Sequence, residues 1–141
     1  MMLYPATLDA ADLAAATRAA EAEALTAAGT FGATLRGSPE FTALLAADAA
    51  LSGDAAATAA IEAFGTLQGE LRPEIMMGVL DDAQRAELER LQQAMLIVPS
   101  VAAYVAATAA FQSLCRETAA VVSAQIGIDF AANCRGGGCC G

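Results

Sequence analysis

Residues 99–126, PSVAAYVAATAAFQSLCRETAAVVSAQI, form the stretch that decides the fold. Proline suits the first position of a helix, where its missing N–H is not needed, and no other proline or glycine interrupts the segment. Residues of one stripe recur every three or four positions over about seven turns, which is the spacing of a single helix face. The stripe consists of Val101, Tyr104, Thr108, Phe111, Cys115, Thr118, Val122 and Ile126. We expect this long helix to be the spine against which the other helices pack as antiparallel hairpins.

Four more helices are predicted upstream from residues that start and stop helices. Gly37 suits the position after a helix end, Ser38 caps the next helix, and Pro39 occupies its first turn. Asp54 and either Asp81 or Asp82 are capping residues of the same kind. The predicted spans are Asp9 to about Leu35, Pro39 to Ser52, Asp54 to Pro73, and Asp81 or Asp82 to the residues before Pro99, with a hinge or short irregular piece between Pro73 and Gly78.

The fold class that follows is all-α. No segment alternates apolar and polar residues over a useful length, so we predict no sheet. We expect an elongated antiparallel bundle of about five helices in residues 1–130. Residues 131–141 are rich in glycine and cysteine and are predicted to be a flexible tail without regular structure of its own.

Composition limits both the core and the partners. The 141 residues are rich in alanine, lack Trp and His, and include only two Tyr and five Phe. Alanine favours helix but buries little apolar area, so the helices should be held together weakly and association with other chains is expected. The net charge is −9 and every positive residue is a scattered Arg. Direct binding of nucleic acid is therefore not expected, because phosphates require a basic surface.

The expected compartment is the cytoplasm. The segment Met1–Asp9 has neither the positive nor the apolar region of a signal peptide. The longest uncharged run, Leu91–Cys115, carries too many polar groups for a membrane helix. Thiols stay reduced in the cytosol, where clustered cysteines more often hold metal or perform redox chemistry than form structural disulfides.

The tail carries the most distinctive chemistry, because Cys134, Cys139 and Cys140 lie within seven residues. Glycines between them let the backbone bend so that several sulfurs can surround one centre, and Arg135 would offset thiolate charge. Three thiolates suit an iron–sulfur cluster or a zinc ion that takes a fourth ligand from elsewhere. The spacing is not that of a standard ferredoxin or zinc finger. The alternative is a disordered reactive tail, with a strained disulfide between the two adjacent cysteines.

Cys115 is the fourth cysteine, and we expect it to be a core residue rather than a ligand. It lies on the apolar stripe, where a free cysteine behaves as a small hydrophobic residue. The helix rises about 22 Å from Cys115 to Phe130, so the tail would have to run back nearly fully extended to reach it.

No catalytic constellation is evident, so an enzyme is not expected. There is no His, no phosphate-binding glycine–lysine loop, and no nucleophile with an obvious base. The pair Met76-Met77 is interpreted as loop packing, with a flexible contact surface as the alternative. A di-metal carboxylate site is disfavoured because the acidic residues follow the spacing of a solvated helix face: Glu21, Glu23, Glu62, Glu87 and Glu89.

In the order of its landmarks, the sequence resembles the YlbF/YmcA family of bacterial cell-fate regulators. Each motif alone is a common helical pattern, so the resemblance depends on their order along most of the chain and on the cysteines that follow. The motifs are GSPEF at 37–41, IEAFGTLQ at 61–68, EL at 87–88, PSVAAY at 99–104 and IGIDF at 126–130.

The resemblance implies a non-enzymatic helical adaptor, often oligomeric, that works in a complex with YmcA-like and YaaT-like subunits. Such complexes are associated with iron–sulfur clusters, here of the 4Fe–4S type. They are also associated with sporulation, competence and biofilm control, and with messenger-RNA maturation by ribonuclease Y. The ligand role falls on Cys134, Cys139 and Cys140. The competing interpretation is a self-contained zinc or iron carrier or thiol-redox protein, and a third is a structural helical protein with an inert tail.

Overall fold

A computed structural model describes residues 9–135, with the side chains of the last helix described only as far as Ala132. All regular structure in these residues is helical, which confirms the all-α prediction. The helices are α1 (Ala10–Arg36), α2 (Pro39–Ser52), α3 (Ala55–Glu70), α4 (Arg72–Met77), α5 (Asp82–Leu96), α6 (Pro99–Ile126) and α7 (Phe130–Arg135).

The five predicted helices are present, and two short ones add to them. Helix α4 occupies the predicted hinge, because Pro73 lies at the start of the helix, where a proline is tolerated. It ends at Gly78, whose left-handed backbone (φ 69°) suits glycine. Helix α7 includes the first five residues of the tail that the sequence predicts to be without regular structure, so that prediction is wrong for residues 131–135. The predicted domain boundary at residue 130 stays a prediction.

The chain divides into two compact units, which meet in sequence between Ser38 and Pro39. The first unit contains α1, and none of the residues of this helix is buried. Its large apolar side chains Leu13 and Phe31 are 59% and 44% exposed. Threonine hydroxyls along α1 donate to the carbonyl four residues earlier, as Thr17 does to Leu13 at 2.9 Å. The helix continues unbroken through Gly29 and Gly32.

In the second unit, α2 packs on α6 and α3 packs on α5. The rings of Phe41 in α2 and Phe111 in α6 lie 5.4 Å apart between centroids. At the other end of the pair, Ser100 at the start of α6 reaches Asp54 just beyond α2. The start of α2 therefore lies beside the middle of α6, and the residue just beyond the end of α2 lies beside the start of α6, so the two helices are antiparallel.

Two pairs of consecutive helices, α2 with α3 and α5 with α6, meet at corners and not in the antiparallel hairpins that the sequence predicts. The axes bend by 84° between α2 and α3 and by 86° between α5 and α6. Each link contains only two residues, and the residue before the next helix is extended, as Asp54 and Val98 are. The extended residue at the end of each link redirects the chain sideways. No single helix in residues 9–135 is long and apolar enough to cross a membrane, although each of these two bent pairs passes that test jointly.

Asp54 joins the two corners. Its Oδ1 accepts the N–H groups of Ala56 and Ala57 at 3.0 and 3.2 Å, which caps α3. Its Oδ2 accepts the hydroxyl of Ser100 at 2.6 Å, across 46 positions of sequence. Next to these two residues lie Ala57 (0% exposed) and Val101 (4% exposed), the only buried residues in the described part of the chain. The corner contact is therefore the most solvent-excluded point of the unit.

The rest of the core is only half-buried. The α6 stripe faces inward as predicted from Val101 to Val122, but Ile126 is 51% exposed. Thr108 on this stripe has a buried hydroxyl oxygen without a hydrogen-bond partner, which costs stability. Small side chains explain the thin core, because alanine contributes little area to bury.

We predict that Ser100→Ala lowers the Tm by roughly 3–6 °C, because the variant loses the bond that ties the two corners together. Thermal unfolding followed by circular dichroism measures the change. Ser113→Ala is the matched control, since Ser113 is in the same helix and donates only to Glu117, one turn away, at 3.3 Å. Equal shifts in both variants would contradict the role assigned to Ser100.

The effect of Ser100→Ala should depend on pH. The hydroxyl of Ser100, and then the N–H of Ala57, lower the pKa of Asp54 below its ordinary value of 3.8. A carboxyl group with a lowered folded-state pKa stabilises the fold above its ordinary pKa and loses that contribution as the pH falls through the folded value. The Tm difference between native chain and variant should be full at neutral pH and shrink below about pH 3.8. A difference that stays constant down to pH 2 would contradict this origin.

Candidate metal centre

The candidate site lies at the carboxyl end of α6, where the chain turns to form α7. Gly127 ends α6 in the left-handed region (φ 73°), and its N–H donates to the carbonyl of Ser123 at 2.9 Å. Residues other than glycine rarely adopt this backbone conformation, so the glycine in the sequence IGID places the turn at position 127. Helix α7 begins three residues later and packs on α6.

Ser123 and Asp129 hold the start of α7. The Oγ of Ser123 donates to the carbonyl of Ala119 at 2.8 Å and accepts the N–H of Phe130 at 3.0 Å. Asp129 caps α7, because its Oδ1 accepts the N–H of Ala132 at 3.0 Å. As a result, α7 begins beside Ser123, within the last turn of α6, and not beyond its end.

A groove of about 850 Å³ lies along this junction. It is mostly apolar, and Cys115, Arg116 and Asp129 are among the residues that line it. Cys115 is a free, half-buried cysteine, and it lines the same groove as Ala131 of α7. The lining includes Cys115, Arg116, Ala119, Ser123, Asp129 and Ala131.

The structure places the predicted ligands only in part. The backbone of Cys134 belongs to α7, and its side chain lies outside the described residues. Cys139 and Cys140 also lie outside the described residues. Cys115 is half-buried and lines the same groove as Ala131, the first residue of the predicted tail. The expectation that Cys115 is a core residue and not a ligand stays a prediction.

The cysteines of this chain are suitable ligands for a metal ion or an iron–sulfur cluster. In the side chains described up to Ala132, no group of three or more Cys, Asp or Glu is arranged to hold a metal ion. The chain has four cysteines and no histidine, and Cys115 is the one cysteine among the described residues that line the groove. Thiolates are the ligands of iron–sulfur clusters and of all-cysteine zinc sites.

The acidic residues considered as metal ligands are not gathered at one point. Glu21 and Glu23 belong to α1, whereas Glu62 lies on α3. Glu87 on α5 forms an ion pair with Arg90, with N–O distances of 2.7 and 2.8 Å. This bond lowers the pKa of Glu87 and raises that of Arg90. The two side chains are 46% and 62% exposed, as expected of a surface pair of small energetic weight.

Sequence reasoning undervalued an apolar surface at α4, which we call the α4 patch: Ile75, Met76, Met77 and Val79. Met76 and Met77 are 77% and 67% exposed, and Val79 is 60% exposed. The sequence was interpreted to show Met76 and Met77 packed in a loop, and that interpretation is wrong because both side chains are exposed. The adjacent methionines were the sign of this surface in the sequence. The short helix α4 that exposes them was not predicted, because Pro73 was taken to end a helix and not to lie at the start of one.

The comparison with protein families concerns the helical body. A family model described as "Control of competence regulator ComK, YlbF/YmcA" matches residues 24–127. The matched range contains all of α2 to α6 and ends at Gly127, so the tail cysteines lie outside it. No curated protein and no solved structure matches the chain. Because the match spans well over half of the 141 residues, the protein belongs to the YlbF/YmcA family.

Proposed function

We propose that the protein is a regulatory adaptor without catalytic activity, which binds an iron–sulfur cluster through Cys134, Cys139 and Cys140 and acts within a protein complex. The observation that carries the adaptor role is the contrast between a nearly absent core and exposed apolar surfaces. In residues 9–132 only two side chains are buried, while Met76, Met77 and Ile97 are more than two-thirds exposed.

An exposed apolar surface of this kind is typical of an association site. Methionine side chains are flexible and polarisable, so they suit contact with a partner surface. The α4 patch combines two methionines with Ile75 and Val79 on one short helix and its exit. Contact with another chain would remove this apolar area from water and add the stability that the thin core lacks.

The proposed cofactor is a 4Fe–4S cluster, with zinc as the alternative. Support comes from the all-thiolate donor set and from the glycines that separate the cysteines. When bound, the group supplies a redox-sensitive link between the tail and any further ligand. The chain's own residues supply the sulfurs, and the α6–α7 groove offers space next to the first turn of the tail.

The proposed setting is a complex with YmcA-like and YaaT-like subunits that influences cell fate and messenger-RNA maturation by ribonuclease Y. The family description, which names control of the competence regulator ComK, supports a role in such a programme. The net charge of −9 argues that any effect on RNA passes through a partner protein, because this chain would repel a polyanion.

The competing function is a self-contained metal or redox carrier. Such a protein would load metal fully without a partner and pass it on, whereas an adaptor uses the bound group to organise a complex. The exposed α4 patch favours the adaptor.

We predict that the triple variant Cys134/Cys139/Cys140→Ser loses at least nine-tenths of its bound iron and sulfide and keeps its helix content. Iron, acid-labile sulfide and zinc are assayed after anaerobic purification, and circular dichroism reports helix content. The control is Met76→Ser with Met77→Ser, which changes two exposed sulfur side chains outside the tail. Iron and sulfide absent from the native chain, or unchanged in the triple variant, would overturn the cluster assignment.

We also predict that Met76→Glu with Met77→Glu reduces association with co-expressed YmcA-like and YaaT-like proteins at least tenfold, since charges would be placed in the apolar contact. Gel filtration of the co-expressed proteins measures the association. The control is Gln92→Glu with Gln93→Glu, which adds the same charge at exposed positions of α5. Equal association of the two variants would contradict the role of the α4 patch.

A further inference from the structure

We propose that Met76 and Met77 form an oxidation site, at which a hydroperoxide turns the α4 patch from apolar to polar and so controls the association of this chain with its partners. This inference rests on the proposed function, because it requires the α4 patch to contact another protein of the complex. It adds a covalent modification and its regulatory effect to two residues that the proposed function uses for contact alone.

The first support is the exposure of the two methionines to solvent. Met76 is 77% exposed and Met77 is 67% exposed, so a small oxidant can approach both thioether sulfurs from solution. Met95 provides a comparison within the chain, because it is half-buried on α5, a helix that packs on α3 and α6. Met1 and Met2 lie outside the described residues. Of the three methionines that the structure describes, Met76 and Met77 are therefore the accessible ones.

The second support is the backbone that presents these side chains. Helix α4 ends at Gly78, whose left-handed conformation closes the last turn. The N–H of Gly78 donates to the carbonyl of Ile75 at 3.2 Å, and the N–H of Val79 donates to the carbonyl of Glu74 at 3.0 Å. These two bonds close the helix end without using a methionine sulfur. Oxidation of the sulfurs should therefore leave α4 folded.

The chemistry is the transfer of one oxygen atom with two electrons. The sulfur lone pair attacks one peroxide oxygen, the O–O bond breaks and an S–O bond forms. The proton on the transferred oxygen passes to the departing oxygen, so hydrogen peroxide leaves as water and an organic hydroperoxide leaves as an alcohol. The sulfur is oxidised and the peroxide is reduced. Methionine sulfoxide reductases reverse the change.

The surroundings of the two sulfurs give the modification its effect. Ile75 and Val79 flank the methionines in sequence and are 39% and 60% exposed, so the sulfurs belong to a continuous apolar segment. A sulfoxide is polar and accepts hydrogen bonds from water. Its burial against an apolar partner surface would remove those bonds without replacing them, which opposes association. Oxidation should therefore weaken binding and leave the fold unchanged.

Peptide mass spectrometry after limited treatment of the native chain with hydrogen peroxide tests the site. Sulfoxide should form at Met76 and at Met77 at least fivefold faster than at Met95. Dithiothreitol then reduces the disulfides and sulfenic acids formed on cysteines. Helix content by circular dichroism should match that of the untreated chain, because changes at exposed positions cost the fold little. Equal rates at the three methionines would overturn the proposal, whatever the effect on association.

Gel filtration with the YmcA-like and YaaT-like proteins of the proposed complex tests the control of association. Each chain is oxidised alone, treated with dithiothreitol and mixed with untreated partners, and its binding is compared with that of the same chain before oxidation. The native chain and the control Met95→Leu should lose binding at least fivefold, and methionine sulfoxide reductases for both epimers should restore it. Met76→Leu with Met77→Leu keeps every cysteine and should show no loss on oxidation.

The outcomes separate this inference from the proposed function. Equal loss in the native chain and the double leucine variant would assign the effect to other residues and overturn the regulatory role of the methionines. Unchanged binding of the oxidised native chain would also overturn it, and the adaptor function would stand in both cases. An untreated native chain that binds neither protein would overturn the proposed complex itself, together with the control of its assembly.

Discussion

The hydrogen bond between Asp54 and Ser100 is the contact on which the arrangement of the second unit depends. One carboxylate caps α3 and accepts the hydroxyl that opens α6, so a single side chain relates the α2–α3 corner to the α5–α6 corner. Of the two buried residues, Ala57 donates its N–H to Asp54 and Val101 follows Ser100 in sequence. With the corners aligned, α2 lies antiparallel to α6 with Phe41 against Phe111, and α3 packs on α5.

The high alanine content limits how much apolar area the helices can bury around that contact. It makes helices easy to form, which explains why most of the described chain is helical, but it provides little apolar area between them. Larger side chains such as Met76, Met77 and Ile97 remain at the surface. A protein with this distribution gains stability by placing those side chains against another molecule. The small buried core and the exposed apolar side chains therefore agree with a regulator that works through partners.

Local signals predicted the helices, and distant contacts set their arrangement. Asp54, Pro39 and Pro99 act on their own helix ends, so the sequence around them was sufficient to predict where α2, α3 and α6 begin. The bond between Asp54 and Ser100 joins residues 46 positions apart, and the sequence around either residue does not indicate its partner. The sequence therefore predicted the helices but not the corners between α2 and α3 and between α5 and α6.

The candidate site shows the same division. The tail cysteines are evident from their crowding in the sequence, whereas the hydrogen bond that starts α7 beside the last turn of α6, from the N–H of Phe130 to the Oγ of Ser123, follows no local pattern. The expectation that Cys115 is a core residue and not a ligand stays a prediction.

The central claim is that this chain buries too little apolar area to be stable as a monomer. Equilibrium unfolding in urea over a hundredfold range of protein concentration tests it most directly. At the lowest concentration, where the chain is a monomer, the free energy of unfolding should fall below about 5 kcal/mol, the lower end of the range for globular domains. It should rise at higher concentration if copies of the chain associate. A monomer that unfolds cooperatively with 10 kcal/mol or more, about the middle of that range, would contradict the claim.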